Sequence, residues 1–329
     1  MRFQITKGKV KSAIRLVCYG PEGIGKSTFA SKFPDPLFID TEDGTKQLDV
    51  ARMPKPETWG ELLEMIDAVI AEPETCQTLV LDTLDRAEAM LIRHLCETAR
   101  VDSIEKYGGG YGKGYTATAE YMEKDLLRRL DRLIIKGVNV VILSHAMMRK
   151  FESPTDPPYD RWELKVSKKV APLIREWSDI MLFMNYEVMV VEENGKGKAR
   201  GKGRRMMYAN HHATYDAKNR YGLPDEMELS FKPLKKIYEG TVPPREDKTQ
   251  LNIDHPDDGI VEDEMLEDPR LVLVRRLAEK GITQERLEQW MIASGRLEEG
   301  GSVMDLSGTQ ADTMIKHIDQ LARVIGGKE

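Results

Sequence analysis

Short apolar runs alternate with amphipathic stretches along the first 240 residues of the chain. The runs predict strands near residues 14–19, 36–40, 78–82 ("TLVLD"), 138–144 ("VNVVILS") and 179–184. Apolar runs of about four to eight residues suit strands covered on both faces. Between them, helical periodicity fits 25–33, 57–72, 83–100 and 116–136. In the last of these, Leu126, Leu127, Leu130, Leu133 and Ile134 recur at spacings that share one helix face. Strand–helix alternation predicts an α/β fold with a mostly parallel sheet. After Asn185 the pattern changes. "YEVMVVEE" and "RRMMYA" read as two strands joined by "NGKGKARGKG", a β-hairpin with a long tip.

Three segments follow from this pattern: an α/β core over 1–240, a Pro-containing acidic linker over 241–268, and a small helical domain over 269–329. Asp268 and Pro269 offer an N-cap and a first-turn proline, opening a helix that Gly281 ends. A second helix fits 284–293. A third fits 309–325, with Ser307 and Gln310 in capping-box spacing.

The net charge is −6, but eight acids and no Lys or Arg lie between Asp254 and Asp268. Without that segment the remainder carries +2, a surface mildly attractive to a polyanion. Cys18, Cys76 and Cys96 are scattered and odd in number. They suit neither a disulfide framework nor a metal knuckle, and a reducing compartment is expected. No apolar stretch approaches bilayer length, and "MRFQITKGKVKS" lacks a signal core. A cytoplasmic protein without a membrane partner is expected.

The chemistry concentrates at "YGPEGIGKST", residues 19–28, directly after the first apolar run. Gly20, Gly25, Lys26 and Ser27 satisfy G-x-x-x-x-G-K-[ST], with Pro21, Glu22, Gly23 and Ile24 between and Thr28 after. Such a loop turns its N–H groups toward phosphate oxygens. Its Lys reaches the β- and γ-phosphates, and its Ser hydroxyl holds Mg²⁺. The helix that follows adds the positive end of its dipole. Asp82 ends the third apolar run, where a carboxylate supports Mg²⁺ through water. Glu42 stands just past "PLFID" and can deprotonate a water for in-line attack on the γ-phosphate. A metabolite kinase needs no such group, so hydrolysis is favoured. Asp40, Glu42 and Asp43 also read as an ordinary polar turn, and Asp85 is a weaker alternative base. Lys26, Glu42 and Asp82 are the catalytic candidates, with ATP and Mg²⁺ as cofactors.

"YGPEGIGKST", "FIDTEDG", "TLVLDT" and "VVILSH", in this order and at these distances, resemble the ATPase core of RecA and RadA recombinases over roughly residues 14–210. The chain is more closely similar to the compact RecA-core proteins of phage recombination modules, some of which anneal single strands; "AKNRYGLP" (217–224) resembles a segment of that group. The resemblance implies that Gly20 to Thr28 bind ATP, Glu42 activates water and Asp82 supports Mg²⁺. It places Ser144 and His145 where the family senses the γ-phosphate, with His145 in place of the usual Gln. It also implies a cation acting on the nucleotide of a neighbouring subunit, with Lys218 and Arg220 favoured and Lys168 behind them.

By the same resemblance, the loops after the Asp82 strand and after the fourth strand face DNA. In "EKYGGGYGKGYTAT" (105–118), Tyr107, Tyr111 and Tyr115 alternate with glycines, Lys106 and Lys113. Rings that stack on bases and ammonium groups that meet phosphates suit sequence-tolerant single-strand binding. A mobile lid, or tyrosines packed on neighbouring helices, fits the same residues. "RKFESPTDPPYDRWELK" (149–165) supplies Arg149, Lys150, Arg161 and Trp162, with three prolines expected to keep it irregular. The hairpin tip brings Lys198, Arg200 and Lys202 within a run of cations, which equally reads as a solubilising surface.

The reading at this level is an oligomeric, ring- or filament-forming ATPase that binds single-stranded DNA in recombination or annealing. Its helical domain is expected to dock a single-strand-binding or replication protein. Two alternatives stay open: a helicase or helicase-loader motor, and an annealing module that binds ATP without needing its hydrolysis.

Overall fold

Each of the five apolar runs forms a strand in the computed structural model. It describes residues 7–8, 10–152, 157–187, 189–193, 196–200, 203–241, 269–297, 301–306, 310–311, 314–315 and 317–326. The strands are β1 (Arg15–Gly20), β2 (Pro36–Asp40), β4 (Thr78–Asp82), β5 (Asn139–Phe151) and β7 (Ile180–Tyr186), with a short β3 (Ala51–Arg52) beside β2. These six run parallel in the spatial order β3-β2-β4-β5-β1-β7. β10 (Arg205–Tyr208) and then β12 (Glu226–Glu228) continue the sheet antiparallel beyond β7. β11 (Lys218–Asn219) pairs with the opening residues of β7, and β6 (Tyr159–Leu164) with the far half of β5.

Side-chain alternation explains why the central strands read as continuous apolar runs. Val17 and Tyr19 of β1 enter one core, together with Val140 and Ile142 of β5; Leu16, Cys18, Val141 and Leu143 enter the other. On the first face lie α2 (Trp59–Ala71), α3 (Leu84–Thr98), α4 (Lys113–Tyr121), α5 (Arg128–Ile135) and α6 (Val170–Trp177). On the second lie α1 (Lys26–Ala30) and α7 (Lys235–Thr241). A sheet covered on both sides must be apolar on both.

Three expectations need correcting. The hairpin after Asn185 pairs otherwise: β10 joins β7, while β8 (Met189–Glu193) pairs with β9 (Lys196–Arg200) drawn from the expected tip. Met207 is fully buried opposite Met184, so this apolar pair is covered better on the main sheet than on a cationic ribbon. The described parts of the segment 149–165 form paired strands, the end of β5 to Phe151 and β6, where irregularity was expected, because Pro157 and Pro158 precede β6 and withhold no ladder N–H within it; residues 153–156, with Pro154, lie outside the described residues. The helix expected over 116–136 starts earlier, at Lys113, and is divided by a wide π turn, Met122–Leu127, between α4 and α5.

The chain divides into two compact units, Met1–Lys248 and Thr249–Glu329. In the second, α8 (Pro269–Glu279), α9 (Gln284–Ala293) and α10 (Ile318–Gly326) enclose Leu273, Leu277, Leu287 and Met291. Thr283 caps α9, its hydroxyl accepting from the Arg286 N–H at 3.3 Å. Residues 242–268, including the acidic segment, and Ser307 lie outside the described residues. Among the described residues no helix is long and apolar enough to cross a membrane.

Candidate nucleotide site

β1 runs out at Gly20, and α1 begins six residues later at Lys26. A Cβ at Gly20 would lie 2.3 Å from the Met184 carbonyl oxygen, so only glycine lets the loop leave the sheet this close to β7. Gly25, the N-cap of α1, sits at φ 105°, where L side chains are strained. Lys26 is buried, its Nζ donating to the carbonyls of Gly20 and Pro21 at 3.1 Å each. Burial pushes its pKa down, opposed by the carboxylates of Asp82, Asp85, Glu42 and Glu22.

The parallel register sets β2 beside β4, with Asp40 opposite Asp82, and sets β5 between β4 and β1. The Ser27 hydroxyl donates to Asp82 Oδ2 at 2.6 Å. Burial raises the Asp82 carboxyl to about 6; Asp40 and Glu42 add to the rise, while the Ser27 hydroxyl and Lys26 counter it. A buried acid short of positive charge, in contact with a hydroxyl at the phosphate loop, is a donor pair that fits Mg²⁺.

Glu42 is set by the turn beyond β2. Asp40 Oδ1 accepts the Glu42 N–H at 3.0 Å, and Asp40 Oδ2 accepts the Thr45 N–H and hydroxyl at 2.8 and 2.7 Å. Burial would raise the Asp40 pKa, but these hydrogen bonds outweigh it and hold the acid ionised. Thr41 locks the turn to β4, its N–H and hydroxyl donating to the Asp82 carbonyl at 2.7 and 3.0 Å. Glu42 Oε1 then lies 3.1 Å from Arg86 Nε, 3.5 Å from the Thr83 hydroxyl and 3.9 Å from His145 Nδ1. Glu42, Lys26, Ser27 and Asp82 line one cavity of about 710 Å³, room enough for a nucleoside triphosphate.

Around this centre the other expected residues separate. Glu22, Gly23, Gly25, Thr28 and His145 line the same cavity, whereas Ile24 is buried in the second core. His145 Nδ1 stands 2.9 Å from Asp85 Oδ2, and Asp85 Oδ1 accepts the His145 backbone N–H at 3.0 Å. Burial alone would raise the Asp85 pKa; the hydrogen bonds from His145 bring it down to about 2. Asp85 is thereby committed to His145, a poor arrangement for a general base. Lys218 and Arg220 sit at the opposite end of the sheet from the phosphate loop. Lys218 donates to the Arg175 and Glu176 carbonyls at 2.8 Å, and Arg220 pairs with Asp179 at 3.0 Å. Neither reaches the nucleotide cavity of its own chain.

The expected DNA residues also divide. Tyr111 is fully exposed, while Tyr107 and Tyr115 pack against the first core. Lys106 pairs with Asp102 at 2.7 Å, and Lys113 donates to the Gly108 carbonyl at 3.1 Å. Arg149 pairs with Glu163 at 3.1 Å, Arg161 is buried against Asp216, and Trp162 packs near Phe183, ring centres 6.1 Å apart. Lys150 carries no ion pair among the described residues. Lys198 and Arg200 belong to β9 with side chains outside the description, and Lys202 lies outside the described residues.

Several cavity residues, Arg205 and Arg86 among them, were not assigned to the nucleotide site from sequence. Arg205, the last of the cationic run, opens β10 and brings its guanidinium to 2.9 Å from where a Gly25 side chain would begin. Arg86 reaches Glu42 from the first turn of α3. The sequence signal for Arg205 was its place at the end of a cationic, phosphate-attracting run, where an apolar strand begins.

The profile of a family described as an AAA domain matches residues 12–221 of this chain. The SPbeta prophage-derived uncharacterized protein YorG of Bacillus subtilis (strain 168) is 23% identical over 174 residues, covering 52% of this chain. The match spans 50% of that relative's length.

Proposed function

The chain belongs to the AAA domain family, and on that premise we propose that it is a phage-type P-loop ATPase that couples ATP hydrolysis to binding of single-stranded DNA in recombination or annealing. The observation that carries the hydrolytic part is the convergence of Ser27, Asp82 and Glu42 on one cavity behind Lys26. The prophage origin of the relative supports the phage setting.

Lys26 would hold the β- and γ-phosphates, giving up its two carbonyl partners to do so. Ser27 and Asp82 would hold Mg²⁺, whose chemistry is to neutralise charge on the phosphates. Glu42 would take a proton from the attacking water. Its backbone is fixed by Asp40 and Thr45, so the carboxylate needs little reorganisation. His145, clamped by Asp85 and 3.9 Å from Glu42, stands midway along β5, where loss of the γ-phosphate would be felt. Beyond it, β5 leads directly into the ribbon bearing Arg149, Lys150 and Trp162, a covalent route from nucleotide state to DNA contact. Self-assembly, with Lys218 or Arg220 serving a neighbouring copy, belongs to the same proposal.

The test is ATP turnover with and without single-stranded DNA, in wild type, Lys26→Ala and Glu42→Gln, beside an annealing assay. Turnover stimulated by DNA and lost in both variants is expected. Annealing that survives Glu42→Gln would select the module that needs no hydrolysis, and strand separation would select the motor.

A further inference from the structure

We propose that the cleft between the β5–β6 ribbon and α6 is a second anion site, which takes the phosphoryl group of a nucleotide ligand. The cleft encloses about 720 Å³ and shares no lining residue with the cavity at the phosphate loop. Cations reach it from separate elements: Arg149 and Lys150 from β5, Arg161 from β6, Lys168 ahead of α6 and Arg175 within it.

Arg161 is the anchor. It is 6% exposed, and its guanidinium lies 5.3 Å from the centre of the Phe151 ring. One terminal nitrogen donates to Asp216 and, at 3.3 Å, to the Tyr215 carbonyl. Its Nε–H is buried without a hydrogen-bond partner among the described residues. Such a donor is costly to bury unless an acceptor arrives. Proteins tolerate that cost where a ligand supplies the acceptor.

Charge accounting points the same way. Asp216 serves two guanidinium groups at once, accepting from Arg175 at 2.9 Å as well as from Arg161. Arg149 is occupied by Glu163. Lys150 and Lys168 have no ion pair among the described residues. Five cations thus face three carboxylates (Glu152, Glu163 and Asp216), an excess that suits a phosphoryl group with its several acceptor oxygens. The phosphoryl can come from a free phosphomonoester or from the diester backbone of a single strand. The inference rests on the DNA reading only for the second source.

The experiment uses the full chain carrying Lys26→Ala, which silences the phosphate loop. Calorimetric titrations with thymidine 5′-monophosphate, unphosphorylated thymidine and an oligothymidylate are compared before and after adding Lys150→Ala with Lys168→Ala. Neither lysine has an ion pair among the described residues, so the fold should survive, and a thermal melt checks this; Arg161→Gln serves as a second variant. The double substitution is expected to weaken a phosphorylated ligand by about tenfold or more, with no binding of thymidine. Binding of the monophosphate assigns the site to a free phosphomonoester, and binding of the oligonucleotide alone assigns it to the backbone. Phosphorylated ligands unaffected by the lysine substitutions, or thymidine bound as tightly as its monophosphate, would overturn the site. DNA-stimulated turnover with Lys26 intact is read separately. Its absence would sink the proposed function and leave a positive phosphate titration standing.

Discussion

Glu42 and Arg86 meet 3.1 Å apart, joining the turn after β2 to the first turn of α3 at the nucleotide cavity. The pair sets the carboxylate proposed to activate water against a cation that is well exposed, 62% for its side chain. Exposed pairs of this kind contribute about 0–1 kcal/mol, so water can displace the arginine at little cost.

Glu42→Gln should therefore lower kcat by about 100-fold or more while nucleotide affinity stays within about threefold, as expected for loss of a general base. Arg86→Ala should leave turnover within about fivefold of wild type. Steady-state turnover with fluorescent-nucleotide titration separates the two, and equal losses in both variants would remove Glu42 from the chemistry.

The burial of Asp82 works against its ionised form. Its folded pKa of about 6 lies above the ordinary carboxylate value, so the folded state holds a proton that the unfolded chain has already released. Ionisation therefore costs stability as pH rises from about 4 through 6, by roughly 3 kcal/mol above that window. Asp82→Asn should raise Tm by several degrees at pH 8 in the absence of nucleotide and abolish Mg²⁺-dependent turnover. A lowered Tm at pH 8 would refute the burial account.

Asp85 carries the opposite sign. Its folded pKa of about 2 lies below the unfolded value, so its contribution is present above pH 4 and is lost as pH falls from about 4 toward 2. Asp85→Asn should cost about 1–2 kcal/mol at pH 7 and steepen no acid transition, whereas wild type should lose that increment in acid. Denaturant titrations at pH 7 and pH 3 measure the difference.

Arg205 tests the part of the site that the tertiary structure brought in. Arg205→Ala should weaken triphosphate binding by about five- to twentyfold without changing Tm, since the side chain is exposed and carries no ion pair among the described residues. Unchanged nucleotide affinity would confine Arg205 to the surface.

The glycine cradle, the strand ending in Asp82 and the alternation that makes a parallel sheet were legible because each depends on neighbours within a few residues. A phosphate loop needs its glycines at fixed spacing, and a strand buried on both faces has to read as an apolar run. Glu42 was legible for a related reason, since a carboxylate just past a strand end falls on the side of the sheet where the loop opens. The partner choices were decided in three dimensions. β10 could have paired with the segment before it, yet burying Met207 against Met184 placed it on the main sheet and carried Arg205 to the phosphate loop. Register brought His145 to Asp85 across 60 residues of chain, and packing drew Arg161 under cover to share Asp216 with Arg175. Local spacing records what a backbone can do by itself; which distant side chains share a cavity depends on how whole elements bury their apolar faces, and that is settled only when the sheet closes.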